Sequence, residues 1–318
     1  MWKYTARRSL IALVVLFIVS IVDFTFISLA PGDPLQAMLS PEAATNAGNL
    51  QAQYENAGLT GSIPVRYLRW VKKLTQGDFG TSFRTNKPVT TMIREVLPAT
   101  LILTIAAKII ALAIGVPLGI FSGLRERSLV DEVGALFSFF FTAIPGFFLA
   151  IIAVFFFAVR LRWFPATGMQ SYDKPGDPVD LAKHLILPAL VLGLLSIPGY
   201  VRYTRTAVLD VLREDYIRTA RAKGLREGTV ILRHLLPNAL MPLVTIIGLS
   251  LPGLIGSSVL IEQVFAWPGM GQLSINSALF RDYPVFMGSA LLYALAVLIS
   301  STVTDLVYAV INPRIRLE

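Results

Sequence analysis

The 318-residue chain contains no cysteine, which excludes disulfides, iron–sulfur clusters and thiolate metal sites. Histidine is nearly as scarce: His184 and His234 lie far apart and form no metal-ligand spacing. Charge is also short. Only 15 % of residues are Asp, Glu, Lys or Arg while 54 % are hydrophobic, too little charged surface for a water-soluble protein of this length. No G-x-x-x-x-G-K-[ST] phosphate loop occurs, since the chain has no Gly-Lys pair, and neither H-E-x-x-H nor G-x-S-x-G appears. P-loop ATP binding by this chain is thereby excluded. The lack of a convergent Ser/His/Asp or metal cluster also argues against a membrane-embedded enzyme. The chain is read as a non-enzyme that binds no cofactor or metal itself.

What is present is apolar length. Six runs reach the roughly 20 residues needed to cross a bilayer: 9–29, 98–122, 133–159, 184–204, 236–260 and 285–311. They predict an all-α polytopic membrane protein of six transmembrane helices. The first run is longer than a signal-peptide core of about 7–15 residues, and Pro31 directly after Ser28-Leu29-Ala30 opposes cleavage, so it is read as an uncleaved helix. With the N-terminus inside, the inner connections and ends hold 15 Lys/Arg and the short outer loops five. Residues 1–8, the loop 205–235 and the tail 312–318 are therefore expected on the cytoplasmic side, and 30–97 outside. Most of the +8 net charge is then topological, and nucleic acid is not an expected partner.

In the outer segment, Ser40-Pro41-Glu42 reads as a helix start. "IPVRYLRWVKKLTQG" places Val65, Leu68, Val71 and Leu74 on one helical face and ends at Gly77. That face predicts a helix packed on its own protein, with the headgroup level as the alternative. In the later outer loop, Trp267 and Tyr283 suit a membrane interface. Three ionisable residues fall inside predicted spans: Asp23, Lys108 and Asp305. A bare charge in hydrocarbon costs at least about 2.5–3.5 kcal/mol, so each is a candidate pathway or packing group. Asp23 and Lys108 differ in depth by about 7 Å, within reach of a salt bridge. Pairing or snorkelling is favoured over a transport role, and Asp305 reads as a helix-packing hydrogen-bond former.

The most informative stretch is "DYIRTARAKGLREGTVILRHLLPNAL", 215–240. The fourth span runs into it without a break. Tyr216, Thr219, Ala220 and Lys223 share a face at i, i+3, i+4 and i+7, with small Ala220 permitting close approach. Arg218 and Arg221 flank that face, Gly224 suits a helix C′ position, and Pro237 marks re-entry into the membrane. Setting topology needs charge, but it does not need a short helix capped by glycine. The pattern predicts a docking surface.

Residues 218–237, "RTARAKGLREGTVILRHLLP", resemble the E-A-A-x(3)-G-x(9)-I-x-L-P loop of binding-protein-dependent ABC importer permeases. Arg218, Thr219 and Ala220 occupy the E-A-A positions, Gly224 the glycine, and Leu236-Pro237 the terminal L-P; Arg218 replaces glutamate and His234 replaces isoleucine. The form R-T-A-R-A-K-G is similar to the dipeptide/oligopeptide/nickel branch. So are "APGDPL" (30–35), "GDFGTSFRTNKPV" (77–89), "LPATLILT" (97–104), "VFAWPGMGQL" (264–273), "RDYPV" (281–285) and "NPRIR" (312–316).

The resemblance implies a type I ABC importer permease fold with an extracytoplasmic insertion after the first helix. It implies a multi-pass subunit of a bacterial or archaeal cytoplasmic membrane, paired with a second permease. Two ATP-binding subunits carrying ATP and magnesium and an extracytoplasmic solute-binding protein complete the expected assembly. The 205–235 loop would contact the ATPase through Tyr216, Thr219, Ala220 and Lys223, with Arg218 and Arg221 adding charge contacts and Gly224 allowing the turn. Trp267, Pro268 and Gly269 would face the binding protein, and the path would run among the third to sixth spans, near "IPG" at 144–146 and 197–199. Di- or oligopeptides are the expected substrate, with nickel, glutathione or oligosaccharide as alternatives. A stand-alone ion-coupled carrier is the competing class, but it would need several paired acidic groups near the midplane.

Overall fold

In the computed structural model, residues 2–29 and 60–311 are described, with side chains placed for 10–29 and for 60–304 apart from parts of 244–257. The Ser40 helix start, "APGDPL" and the 312–318 tail lie outside the described residues. The elements are helices: α1 (Trp2–Leu29), α2 (Ile63–Thr75), α3 (Val89–Leu124), α4 (Leu129–Ala143), α5 (Gly146–Ala153), α6 (Pro178–Leu212) and α7 (Asp215–Ala222). A nearly continuous helical run, α8, covers 227–239, followed by α9 (Met241–Val264), α10 (Met270–Leu279) and α11 (Tyr283–Ile311). Among the described residues the one sheet-like pairing is an isolated antiparallel bridge, Thr81–Pro88.

Five helices are individually long and apolar enough to cross a membrane, and α4 with α5 makes a sixth candidate bent by 98°. The predicted third span, 133–159, is therefore not one straight helix. Pro145 has no N–H to donate, and its ring drives Ile144 to an extended conformation (φ −79°, ψ 127°). Beyond the break, Val154–Arg160 widens into π-helical geometry. Pro188 and Pro198 leave α6 helical throughout. That helix begins earlier than the predicted 184, because Asp177 accepts from the Val179 N–H at 2.9 Å and Pro178 occupies the first turn.

The chain divides into two compact units. The first comprises Met1–Pro98 and Pro268–Ile299. Here α2 packs on α1 through aromatic rings: Phe24 lies 5.4 Å from Tyr67 and 5.8 Å from Trp70, and Ser20 and Tyr67 hydroxyls are 2.8 Å apart. The inward face of α2 is thus Tyr67, Trp70, Val71 and Leu74, whereas Val65 and Leu68, expected on it, are exposed. The larger rings take half-buried positions because they remove more apolar area from water. Elsewhere in this unit the buried Asp282 carboxylate accepts from Ser82 Oγ at 2.5 Å and from the Phe83 N–H at 3.0 Å. The Arg84 guanidinium stacks 4.0 Å from the centre of the Phe280 ring.

The second unit, Ala99–Trp267 and Ser300–Glu318, is organised by α3 and α6 running parallel. The segment Gly115-x-x-x-Gly119-x-x-x-Gly123 brings three glycines to one face of α3. A Cβ at Gly115 would stand 2.8 Å from Tyr200 Cβ; at Gly119, 2.7 Å from Thr204 Cβ; at Gly123, 2.7 Å from Val208 Cβ. Without those Cβ atoms the two backbones approach closely and gain dispersion contact, the main source of helix association in lipid. Beside the ladder, the buried Lys108 ammonium donates to the Tyr200 hydroxyl and lies 4.9 Å from the centre of its ring. Asp23 lies half-buried on α1. The Asp305 side chain lies outside the described residues.

Replacing Gly119 with Leu inserts four carbons where none fit, so a loss of about 1–3 kcal/mol or more is expected. Fluorescence-detected size exclusion after a heat challenge should give a lower melting point for Gly119→Leu than for Gly228→Leu, whose position has open space around it.

Candidate functional site: the α7 loop

An isolated helix of eight residues is marginal in water, so α7 must be held by its surroundings. Its anchor is Ile217 and Ala220, both buried. They pack with Val208 of α6 and with Val230, Leu235 and Ala239 of α8; Ile120 and Leu124 at the end of α3 close the cluster. Complete burial of Ile217 contributes about 1.5–3 kcal/mol. The far end is closed by a Schellman cap. Gly224 sits at φ +74°, its N–H donates to the Arg221 carbonyl at 2.9 Å, and the Leu225 N–H donates to the Ala220 carbonyl at 3.4 Å.

This packing corrects one element of the expected docking face. Ala220 points into the bundle, because the apolar seat formed by Val208, Val230 and Leu235 lies on its side of the helix. Tyr216, Thr219 and Lys223 remain exposed together at i, i+3 and i+7, and they are the outward face. Burial, and then the Glu214 carboxylate, raise the Tyr216 phenol above its ordinary value, so it stays a neutral hydrogen-bonding group at pH 7. Thr219 Oγ1 donates back to the Asp215 carbonyl at 2.9 Å. Arg218 lies 3.6 Å from Asp215, both exposed. Arg221 makes a two-pronged contact with Glu227, at 2.8 and 3.3 Å, bridging α7 to the start of α8 around the glycine turn. Pro237 is exposed within α8, just after a π-helical segment Val230–Leu235.

The seat is itself braced. Asp131, in the first turn of α4, accepts from Arg205 Nε at 2.6 Å and Nη2 at 2.8 Å, and from the Arg127 N–H at 3.0 Å. This bidentate pair ties the α3–α4 turn to α6 ten residues before α7 begins. It was not found by sequence reading. Asp131 and Arg205 are 74 positions apart and each looks like an ordinary interfacial charge.

The expected receptor-facing residues behave differently. Trp267 is 0 % exposed, with its indole N–H donating to the Ala99 carbonyl at 2.9 Å, so it is a core residue and not a surface one. A ring this large with a satisfied donor gains most by complete burial. Pro268 is exposed and Gly269 is buried at the start of α10. Glu262, which sequence reading passed over, is fully buried and accepts from Thr100 Oγ1 at 2.8 Å and Ser258 Oγ at 3.0 Å.

Residues 115–317 match the family model "Binding-protein-dependent transport system inner membrane component", and residues 1–104 match the N-terminal model of the same transport-system membrane component. The chain belongs to this family and is a transmembrane permease subunit of an ABC importer. It is 41 % identical to the oligopeptide transport system permease protein AppB of Bacillus subtilis, over 99 % of both chains. It is 38 % identical to the dipeptide transport system permease protein DppB of Alkalihalophilus pseudofirmus, over 99 % of this chain and 100 % of that one. The glutathione transport system permease protein GsiC of Salmonella typhimurium is 37 % identical over 99 % of each. Among solved structures, the inward-facing MetNI methionine ABC transporter matches with a TM-score of 0.57 at 19 % identity, covering 70 % of this chain and 97 % of that one. That likeness establishes the importer permease fold.

At Gly224 an L-side chain is held in the left-handed region, at a cost of about 1–2 kcal/mol. Gly224→Val is expected to loosen the α7 turn, and limited proteolysis should cut within 215–229 faster than in the unaltered protein. Equal cutting rates would contradict the cap.

Proposed function

We propose that the chain forms, with a related second permease, the translocation path of an importer for di- or oligopeptides. α7 would be the lever that two cytoplasmic ATP-binding subunits push. A solute-binding protein outside the membrane would deliver substrate, and both chain ends would be cytoplasmic. The carrying observation is the split of α7 into a buried anchor, Ile217 and Ala220, and an exposed face, Tyr216, Thr219 and Lys223. A rigid helix held on one side and free on the other transmits a push into α3, α6 and α8. Arg218, exposed and only loosely paired with Asp215 at 3.6 Å, would add a charge contact to an ATPase surface, while Arg221 chiefly holds the turn through Glu227. ATP and magnesium would sit on the partner subunits.

The peptide reading is supported by the full-length relatives named for oligopeptide and dipeptide transport. Glutathione, itself a small peptide, is the nearest variant, supported by the permeases named for it. Nickel and oligosaccharide remain the alternatives. The excess of Lys/Arg on connections at the α7 end favours the cytoplasmic placement of that end.

Thr219→Glu places a bulky charge on the exposed face without touching the buried seat. The expected result is a folded permease that co-purifies with at most about a tenth of the usual ATP-binding subunit and imports no labelled peptide. Unchanged co-purification and uptake would remove α7 as the docking element. In the same vesicle assay, competition of labelled dipeptide uptake by tripeptides but not by nickel or maltose is expected.

A further inference from the structure

Helix α4 is fastened at one end and jointed at the other. Its foot is Asp131, 6 % exposed, which accepts both prongs of the Arg205 guanidinium at 2.6 and 2.8 Å. The Arg127 N–H donates to the same carboxylate, and Ser128 Oγ accepts from the Asp131 N–H to cap the helix. Glu126, on the same turn, adds its attraction for Arg205. At the other end the Ile144 N–H closes α4 on the Phe140 carbonyl, and the Pro145 carbonyl opens α5 by accepting from the Phe148 and Leu149 N–H groups. The two helices meet there at a bend of 98°, with Ile144 extended. Between foot and joint lies a rod of 15 residues, about 22 Å long.

Two observations make the foot more than a brace. First, holding α4 in place does not call for a charged pair. A Cβ at Gly134 would stand 3.0 Å from Ser122 Oγ of α3, and Phe137 joins the cluster of Tyr200 and Val201 on α6. Taking a carboxylate and a guanidinium out of water offsets much of their attraction, so such a pair fixes position more than it adds stability. Second, Arg205 sits at the end of α6 that carries the α7 seat. Its carbonyl would be 3.0 Å from a Cβ on Gly123, its side chain reaches α4, and Val208, nearly one turn on, is the floor of the seat. A displacement of that floor reaches Asp131 through a single contact.

We propose that Asp131 and Arg205 are positioning residues of transport, a strut through which displacement of the α7 seat swings α4 about the Ile144–Pro145 joint. A push on α7 moves Val208 and Arg205 together, because both lie in the last turns of α6. The two-pronged contact fixes orientation as well as distance, so Arg205 carries the α4 foot with it. α4 turns as a rod, since it is helical from Leu129 to Ala143, and the residues at its end absorb the change in backbone angles. α5 rests through Gly146 on Leu195 of α6, on the far side of Pro198 from Arg205. Pro198 has no N–H to give the helix ladder, so α6 is softest between those two points.

The proposal rests on the reading of α7 as the element that is pushed, and the test separates the two. The chain has no cysteine, so spin labels can be attached to cysteines introduced at exposed Leu136 of α4 and exposed Ile151 of α5. The complete transporter is used in lipid vesicles, with its partner subunits made free of cysteine. Trapping with ATP and vanadate is expected to change the distance between the labels, and Asp131→Asn is expected to abolish that change. Without labels, Asp131→Asn and Arg205→Gln should each keep co-purification of the ATP-binding subunits. Each should import at least about tenfold fewer peptides per ATP hydrolysed, the change expected for loss of a charge-assisted hydrogen bond. The double variant should be no worse than either single one, as two ends of one contact require, and Arg205→Lys should recover part of the import. An unmoved label distance in the unaltered transporter overturns the strut, and so does a change that survives in Asp131→Asn. Hydrolysis and import falling in proportion would reduce the pair to a structural brace. Failure of α7 as the docking element is read separately, from co-purification with Thr219→Glu. The label distance in the unaltered transporter needs no variant of the pair, so a poorly folding one still leaves the proposal open to refutation.

Discussion

The structure around the α7 loop depends on the close approach of α3 and α6 at Gly115, Gly119 and Gly123. In a bilayer, apolar side chains gain little by leaving lipid for protein, so association rests on packing and on polar contacts. Three backbone positions without a Cβ, one turn apart, fix both the separation and the register of two parallel helices. The consequences run along the pair. Tyr200, which stands over Gly115, receives the Lys108 ammonium; Val208, which stands over Gly123, is the floor of the α7 seat. Arg205, whose carbonyl crowds Gly123, turns its guanidinium to Asp131. Slip the register by one turn and all three contacts fail together.

Charge in this protein has two separate uses. At the α7 end it is held in defined pairs, Asp131 with Arg205 and Arg221 with Glu227. The first pair has a mostly buried carboxylate and rigid two-pronged geometry, and it joins three helices through the α3–α4 turn. The second is exposed and worth little in stability, but it spans the glycine turn and limits how far α7 can swing from α8. Together the two pairs leave α7 stiff at its base with an exposed outer face. The break at Pro145 and the π-helical stretches after Ala153 and Thr229 supply the complementary property. They are places where a span can change direction without losing all of its backbone bonds.

Legibility in the sequence was uneven, for reasons that can be named residue by residue. Hydropathy read six apolar runs, because lipid demands long apolar runs and tolerates few charges. The described residues hold five helices long and apolar enough to cross a membrane, plus one bent pair. The bend in the third span was hidden, since Pro145 sits in the same apolar background as Pro188 and Pro198, which bend nothing so sharply. Gly224 was readable as a C′ residue because the rule is local and steric. The G-x-x-x-G-x-x-x-G run was equally visible in the letters, but its partner helix was not. Trp267 and Ala220 were both placed on surfaces and both proved buried.

Composition and local chemistry by themselves determined the membrane class, the absence of a phosphate loop, the position of a capped helix between two spans and the glycine that ends it. Those follow from interactions between residues close in sequence, or from the transfer of whole segments into lipid. Tertiary structure alone decided which side of α7 is anchored, which aromatic faces of α2 turn inward, and that Asp131 meets Arg205. A helical period defines faces but does not say which one a neighbour will cover. That choice is made by where distant backbones can approach, and here by three missing side chains on α3.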